Sequence, residues 1–453
     1  MDTTPKCCII VYGCAKNQVD AEEMAERLRE AGYYLTPDAT SADVVVVHTC
    51  GFIEDAKKES IEGILSACEL VKEAGGQAPV VVTGCLSQRY PQDLLKEIPE
   101  IAGVAGTGAP RDIVEIVKAA LEGKKVNLVG EPGRGAPGGL GKRQLLSPGQ
   151  TWAYLRVSEG CRHHCTYCAI PSMRGSLQSR PIEDVVAEAR SLVGAGVREV
   201  NLIAQDLADY GSDWGGGRQL PALVRELVKI PDLAWVRLLY LRPDGVTPEL
   251  ADAMAHYKVA PYVDLPAEHG SGKILRLMGR PGPDQIVKAV ETLRTAVPRL
   301  FVRTTIITGF PGETEKDLEQ VKDLLSAIGA HRVGVFPYSR EEGTPAYNLP
   351  DPVPTAVARE RAEAIRRYGL ELARVNSKSL VGSEIPVILV KPSVRPGYYV
   401  ARGPHQAPEV DGRTYIRYRD TGLPGAGTFF DVRVHRAGVL DLYAYPEEKP
   451  EPS

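Results

Sequence analysis

The sequence predicts an α/β multidomain protein in three parts. These are an N-terminal α/β domain on a parallel sheet, a central partial (βα)6 barrel of the TIM type, and a small five-stranded C-terminal β-barrel of the oligonucleotide-binding type. Three observations lead there. Valine runs such as Val44-Val45-Val46-Val47 alternate with amphipathic helices near the N-terminus, as strands buried on both faces do. Longer strand–helix units then repeat from Trp152 onward. Beyond residue 380, short strands of alternating polarity follow one another without helices.

In the first part, strands are expected at 8–11, 43–48 and 79–83, with helices at 20–31, 54–73 and a last one ending near Leu121. A glycine-rich stretch around Gly130-Glu131-Pro132-Gly133 marks a mobile linker over 123–150, because no Gly-Lys-Ser/Thr end follows to make it a phosphate loop. Central strands are expected at 152–158, 199–204, 235–241, 262–265, 301–308 and 333–338. Helices fall between them, at 182–194, 222–228, 284–295 and 315–326 among others. A helix over 355–379 leads to terminal strands at 385–391, 398–402, 414–419, 428–434 and 440–445. The expected domains are therefore 1–122, the linker 123–150, 151–379 and 380–446, with a tail at 447–453.

Composition narrows the class. With 453 residues, 43% hydrophobic and 25% charged, the chain is an ordinary globular one, and a net charge of −4 offers no basic field for nucleic acid. The start reads as neither a signal peptide nor a membrane span, which needs roughly 18 apolar residues, so a cytoplasmic protein is expected. All 9 cysteines lie at or before Cys168, a distribution that favours metal or catalysis over disulfides.

Two cysteine sets carry chemistry. Cys161, Cys165 and Cys168 are spaced C-x3-C-x2-C directly after the first central strand, on the edge where barrels place active sites. Three thiolates on a cubane cluster leave one iron open to a small-molecule ligand. A structural zinc site is the alternative, with His163 or His164 as fourth ligand, but such sites normally pair two C-x2-C or C-x2-H units. The second set is Cys14, Cys50 and Cys85, one at the carboxyl end of each N-terminal strand, where open α/β sheets gather ligands. The plain alternative is three small buried cysteines. A glycine beside each fits a backbone that turns closely around a bulky group. Cys7, Cys8 and Cys68 are expected to be packing residues.

In order and spacing, several strings together resemble the radical S-adenosylmethionine methylthiotransferases. They are Gly13-Cys14-Ala15-Lys16-Asn17, His48-Thr49-Cys50-Gly51, Thr83-Gly84-Cys85-Leu86, Glu159-Gly160-Cys161, Cys165-Thr166-Tyr167-Cys168-Ala169-Ile170-Pro171, Arg174-Gly175, Gln205-Asp206 and Gly309-Phe310-Pro311-Gly312-Glu313-Thr314. The resemblance covers nearly the whole chain and is nearest to the branch that modifies an aspartate of the twelfth small-subunit ribosomal protein, S-12. It implies a radical SAM core and a TRAM-like terminal barrel.

The family chemistry it implies is a [4Fe–4S] cluster on Cys161, Cys165 and Cys168 that reduces S-adenosylmethionine to methionine and a 5′-deoxyadenosyl radical. A second [4Fe–4S] cluster on Cys14, Cys50 and Cys85 would carry the sulfur, methylated by a second S-adenosylmethionine. The radical would remove hydrogen from the aspartate β-carbon, and the methylthio group would add there. Implied cofactor contacts are Tyr167, Arg174, Gln205, Asp206, Gly309 and Glu313. Arg174 could pair with the cofactor carboxylate or with a substrate acid; plainer roles are core packing for Tyr167, a surface salt bridge for Arg174, and a helix N-terminal acid for Glu313. Implied partners are S-12, free or in the small subunit, a low-potential flavodoxin or ferredoxin, and a sulfur donor; no membrane is involved. The alternative is the sister tRNA branch. Against tRNA stand Gly13-Cys14-Ala15-Lys16-Asn17, Ala169-Ile170-Pro171 and the acidic loop Pro408-Glu409-Val410-Asp411-Gly412. The more distant alternative is a non-enzymatic iron–sulfur or zinc protein that binds nucleic acid. His48, Glu268 and Gln406 depart from the family's usual asparagine, glutamine and aspartate.

Overall fold

The computed structural model describes residues 4–133, 143–147, 149–417 and 425–446. The expected linker residues 134–142 and 148, strand residues 418–419 and the tail 447–453 lie outside that set.

The first valine-rich segments form a parallel sheet ordered Tyr34–Leu35, Lys6–Val11, Val44–Thr49, Val80–Gly84, Ile101–Ala105, Val126–Leu128. Val44 and Val46 face the helices Ala15–Glu30 and Ala109–Leu121, with Met24, Leu28 and Ile113. Val45 and Val47 face Glu54–Glu73, with Ile64 and Ala67. Both faces are thus apolar, which is why the run does not alternate. Chain order reverses between Lys6–Val11 and Val44–Thr49, so a crevice opens beyond their carboxyl ends. Val126–Leu128, expected within the linker, is the sixth strand of this sheet.

The central strands form a second all-parallel sheet, ordered Arg332–Pro337, Phe301–Thr308, Val259–Asp264, Trp235–Leu238, Glu199–Ile203, Trp152–Arg156. It curves without closing. Its outer face packs on helices including Ile182–Gly194, Pro283–Ala296, Glu315–Ala327 and Thr355–Ser379. Trp152, Tyr154, Ile203, Tyr262 and Phe301 fill the inner face, together with Val19 from the first domain and Ala407 from the last.

The C-terminal strands close a barrel in the order Glu384–Pro392, Tyr398–Arg402, Thr414–Arg417, Leu442–Pro446, Phe429–Ala437. This barrel docks on the end where the central strands begin. Glu199 accepts from Arg237 at 2.9 Å and from Arg402 at 2.6 Å, all three buried. Tyr262 donates to Asp411 Oδ2 at 2.6 Å. The acidic loop 408–412 therefore points inward through Asp411, which is 1% exposed, so Asp411 is no surface feature that repels RNA or attracts a protein. Glu409 of the same loop stays exposed, so the loop's acidity at the surface rests on that residue alone. No helix of the described residues is long and apolar enough to cross a membrane.

Candidate active site

The crevice of the first domain holds the second cysteine set. Cys14 caps the helix Ala15–Glu30, Cys50 follows Val44–Thr49, and Cys85 opens the helix Cys85–Arg89. One side chain ties two of these loops together: Asn17 Nδ2 donates to the carbonyls of Tyr12 at 2.8 Å and Thr49 at 3.0 Å. The glycines also answer a steric need between the loops themselves. A Cβ on Gly84, at φ +104°, would lie 2.5 Å from the Thr49 carbonyl, and one on Gly13 would lie 2.7 Å from Cys50 Cβ. The loops crowd each other.

Opposite them lies the C-x3-C-x2-C loop. The His163 amide donates to Cys161 Sγ at 3.4 Å, and the Cys168 amide to the Cys165 carbonyl at 3.0 Å. Arg242 Nη1 donates to Cys165 Sγ at 3.2 Å. His163 Nε2 lies 2.9 Å from both Asp206 and Asp209, whose bonds hold its pKa up at about 9. Through Nε2 this imidazole anchors the loop to the end of the strand Glu199–Ile203.

All six cysteines line one cavity of about 440 Å3. Burial pushes the thiols of Cys50 and Cys168 up to about 12 and Cys161 up to about 11, and raises Cys85 as well. Such thiols stay protonated at neutral pH until a metal displaces the proton. A single tetrahedral ion with bonds of about 2.3 Å would draw its thiolates within roughly 4 Å of one another. Among the described residues, the set of three ligand atoms within 4.8 Å of one another is His163, Asp206 and Asp209; neither cysteine triad is so tight. The wider triads suit clusters better than a lone zinc. Each also has a guanidinium on a sulfur, Arg242 on Cys165 and Arg174 on Cys85, as an anionic cluster favours.

The other expected contacts divide. Tyr167, Gln205 and Asp206 line the cavity, with Gln205 donating to Glu159 and Asp206 engaged by His163. Arg174 also lines it, on the side of the second triad. It is 2% exposed, so not a surface pair, and it binds Cys85, Asn17, Asp20 and Glu159 beside the second triad. Gly309 and Glu313 do not face the cavity. The Gly309 amide donates to Glu313 at 2.8 Å, and Glu313 is held by His269 at 3.1 Å and Arg361 at 2.9 Å, an internal brace. Cys7 and Cys8 are buried in the first domain's core, and Cys68 packs against it.

Sequence reasoning missed Arg242, Arg280 and Tyr240 and gave Lys16 no role, yet all four line the cavity. Tyr240 and Glu268, also in the wall, both have positive φ, +60° and +69°. Non-glycine residues hold such conformations where surrounding structure enforces them, often at functional sites. No local motif marks them, since they sit on the loops after the third and fourth central strands.

Three family models match the chain: Uncharacterized protein family UPF0004 over 6–106, the Radical SAM superfamily over 155–325 and the TRAM domain over 381–446. Among solved structures, the radical S-adenosylmethionine methyltransferase TsrM from Kitasatospora setae, with cobalamin and a [4Fe–4S] cluster bound, superposes with TM-score 0.58 at 15% identity over 88% of this chain and 81% of that one. That likeness concerns the fold. The ribosomal protein uS12 methylthiotransferase RimO of Desulforudis audaxviator is 42% identical over 96% of each chain. The RimO of Geobacter sulfurreducens is 41% identical over 96% of this chain and 97% of its own. With near-complete coverage at that identity, the chain belongs to the RimO family of radical SAM methylthiotransferases.

Proposed function

We propose that this enzyme transfers a methylthio group to the β-carbon of an aspartate in ribosomal protein uS12, consuming two molecules of S-adenosylmethionine. The observation that carries the reading is the convergence of Cys14, Cys50 and Cys85 with Cys161, Cys165 and Cys168 on one cavity. Cys161, Cys165 and Cys168 are assigned to the [4Fe–4S] cluster that takes S-adenosylmethionine, and Cys14, Cys50 and Cys85 to the sulfur-carrying one. When bound, these groups supply the one-electron chemistry and the transferred sulfur. The protein supplies position and dryness. Arg242 and Arg174 stabilise thiolate charge at the two ends, His163 anchors one cysteine loop, and Phe52, Ile170 and Ile307 wall the space between against water. A flavodoxin or ferredoxin and a separate sulfur donor complete the partners, and the reaction belongs in the cytoplasm.

Mass spectrometry of ribosomal protein and tRNA from a strain lacking the gene tests this. Loss of a methylthio mass from the uS12 peptide alone is the expected result. Loss from tRNA instead would overturn the reading.

A further inference from the structure

Four charged residues that line the cavity already have carboxylate partners. Arg174 binds Asp20 at 2.8 Å, Arg242 binds Asp244 at 2.8 Å, Arg280 lies 3.8 Å from Glu268, and His163 lies between Asp206 and Asp209. Lys16 differs. Its residue is 9% exposed, and among the described residues no carboxylate lies within 4.0 Å of its ammonium. The ammonium instead sits 3.5 Å from the centroid of the Tyr240 ring. A cation over an aromatic face gains electrostatic support while its hydrogens stay free for an anion.

The arrangement is built, not incidental. Tyr240 is held at φ +60°, with its carbonyl accepting from the Leu207 amide at 3.1 Å while the next residue, Leu241, donates its amide to the Asp264 carbonyl at 2.8 Å. Lys16 is fixed at the first turn of the helix Ala15–Glu30, two residues from Cys14. The charges nearest to it are those of Cys14, Glu159, Arg174 and Asp264, on the second triad's side of the cavity.

We infer that Lys16, presented by Tyr240, is the docking point for the side-chain carboxylate of the substrate aspartate. The inference rests on the function proposed above. An aspartate offers one handle beyond its backbone, a carboxylate adjacent to the reacting β-carbon. An ammonium beside Cys14 that binds this carboxylate fixes the β-carbon within the cavity, next to the triad assigned to sulfur. It also predicts selection of aspartate over asparagine, because a neutral amide leaves a desolvated ammonium without a counter-charge.

The test uses the reconstituted holoenzyme and two fluorescent peptides of uS12, one with the target aspartate and one with asparagine in its place. By anisotropy, wild type should bind the aspartate peptide about tenfold more tightly, as a charge-assisted bond gives. Lys16→Gln should bring the two affinities within about twofold, and Lys16→Arg should keep most of the preference. Equal or absent binding by wild type overturns the inference, as does a preference that survives in Lys16→Gln. Loss of S-adenosylmethionine affinity in Lys16→Gln with the peptide ratio intact assigns the ammonium to the cofactor's carboxylate and also overturns it. Failure of the proposed function reads differently: wild type would discriminate between the peptides yet add no methylthio mass to either.

Discussion

Arg174 donates through Nε to Cys85 Sγ at 3.3 Å while its Nη1 meets Asp20 at 2.8 Å, so one buried guanidinium joins a cysteine triad to the seam between two domains. Burial pushes the Asp20 carboxyl up, but Arg174 and Arg156 outweigh it and hold it well below the usual carboxylate range. Asp20 therefore stays ionised in the seam.

Arg174→Gln removes that cation and leaves Asp20 and Glu159 short of a partner. Breaking a buried pair from one side costs about 3–5 kcal/mol, so a marked fall in the chemical-denaturation midpoint is expected. Arg174→Lys should recover part of the loss, because it restores charge without the fork that reaches Cys85 and Asp20 together.

Separate roles for the two triads predict separable defects. Cys50→Ala should lower bound iron by about four atoms per chain, keep reductive cleavage of S-adenosylmethionine and abolish methylthio transfer. Cys165→Ala should lose both reactions. Product analysis by liquid chromatography, with iron and sulfide assays on anaerobic protein, checks this; methylthio transfer at the normal rate by Cys50→Ala would remove the sulfur-carrier role.

Docking of the C-terminal barrel depends on Glu199, which lies between Arg237 and Arg402 with no exposure of its own. Glu199→Ala strands two buried cations, and a loss of about 3–5 kcal/mol is expected. Limited proteolysis should then cut between the helix Thr355–Ser379 and the terminal barrel earlier than in wild type.

The same interface should be acid-sensitive. Burial, then Arg332 and Arg237, pushes His405 down to about 3; burial, then Arg294 and Arg332, pushes His331 down to about 4. Unfolded histidine takes its proton near pH 6.5, so between that value and about 4 the unfolded chain binds more protons than the folded one. Stability is full above pH 7 and falls as pH drops, by up to roughly 1.4 kcal/mol per pH unit for each histidine. Melting temperatures at pH 7 and pH 5 for wild type and His405→Gln should show a shallower pH dependence in the variant.

Much of this was legible in the chain itself. The helices Glu54–Glu73, Ile182–Gly194 and Thr355–Ser379 and the strands Phe301–Thr308 and Tyr398–Arg402 fall at their expected limits, because apolar period and flanking proline or glycine agree there. Val126–Leu128 was hidden because a three-residue edge strand after a glycine-rich turn has no period of its own. The cysteine triads were visible as spacing, but the direction of Arg174 was not. Its place in the chain groups Arg174 with Cys168 and the first triad. What turns it toward Cys85 is the short helix Ile170–Arg174, which packs on the first domain. A strand-end glycine and acid such as Gly309 and Glu313 look alike in sequence whether they serve a ligand or brace a turn, and their mutual bond shows only in the fold.

The seam held by Asp20, Arg156 and Arg174 bears on how such a chain can be rebuilt. Three family segments in a row suggest beads that could be exchanged one at a time. Here a transplanted N-terminal domain must bring acids at the positions of Asp20 and Glu23, or Arg156 and Arg174 lose partners at the seam. A cut on the C-terminal side of Ser379 spares this seam, but the exchanged barrel must then supply its own partner for Glu199 in place of Arg402.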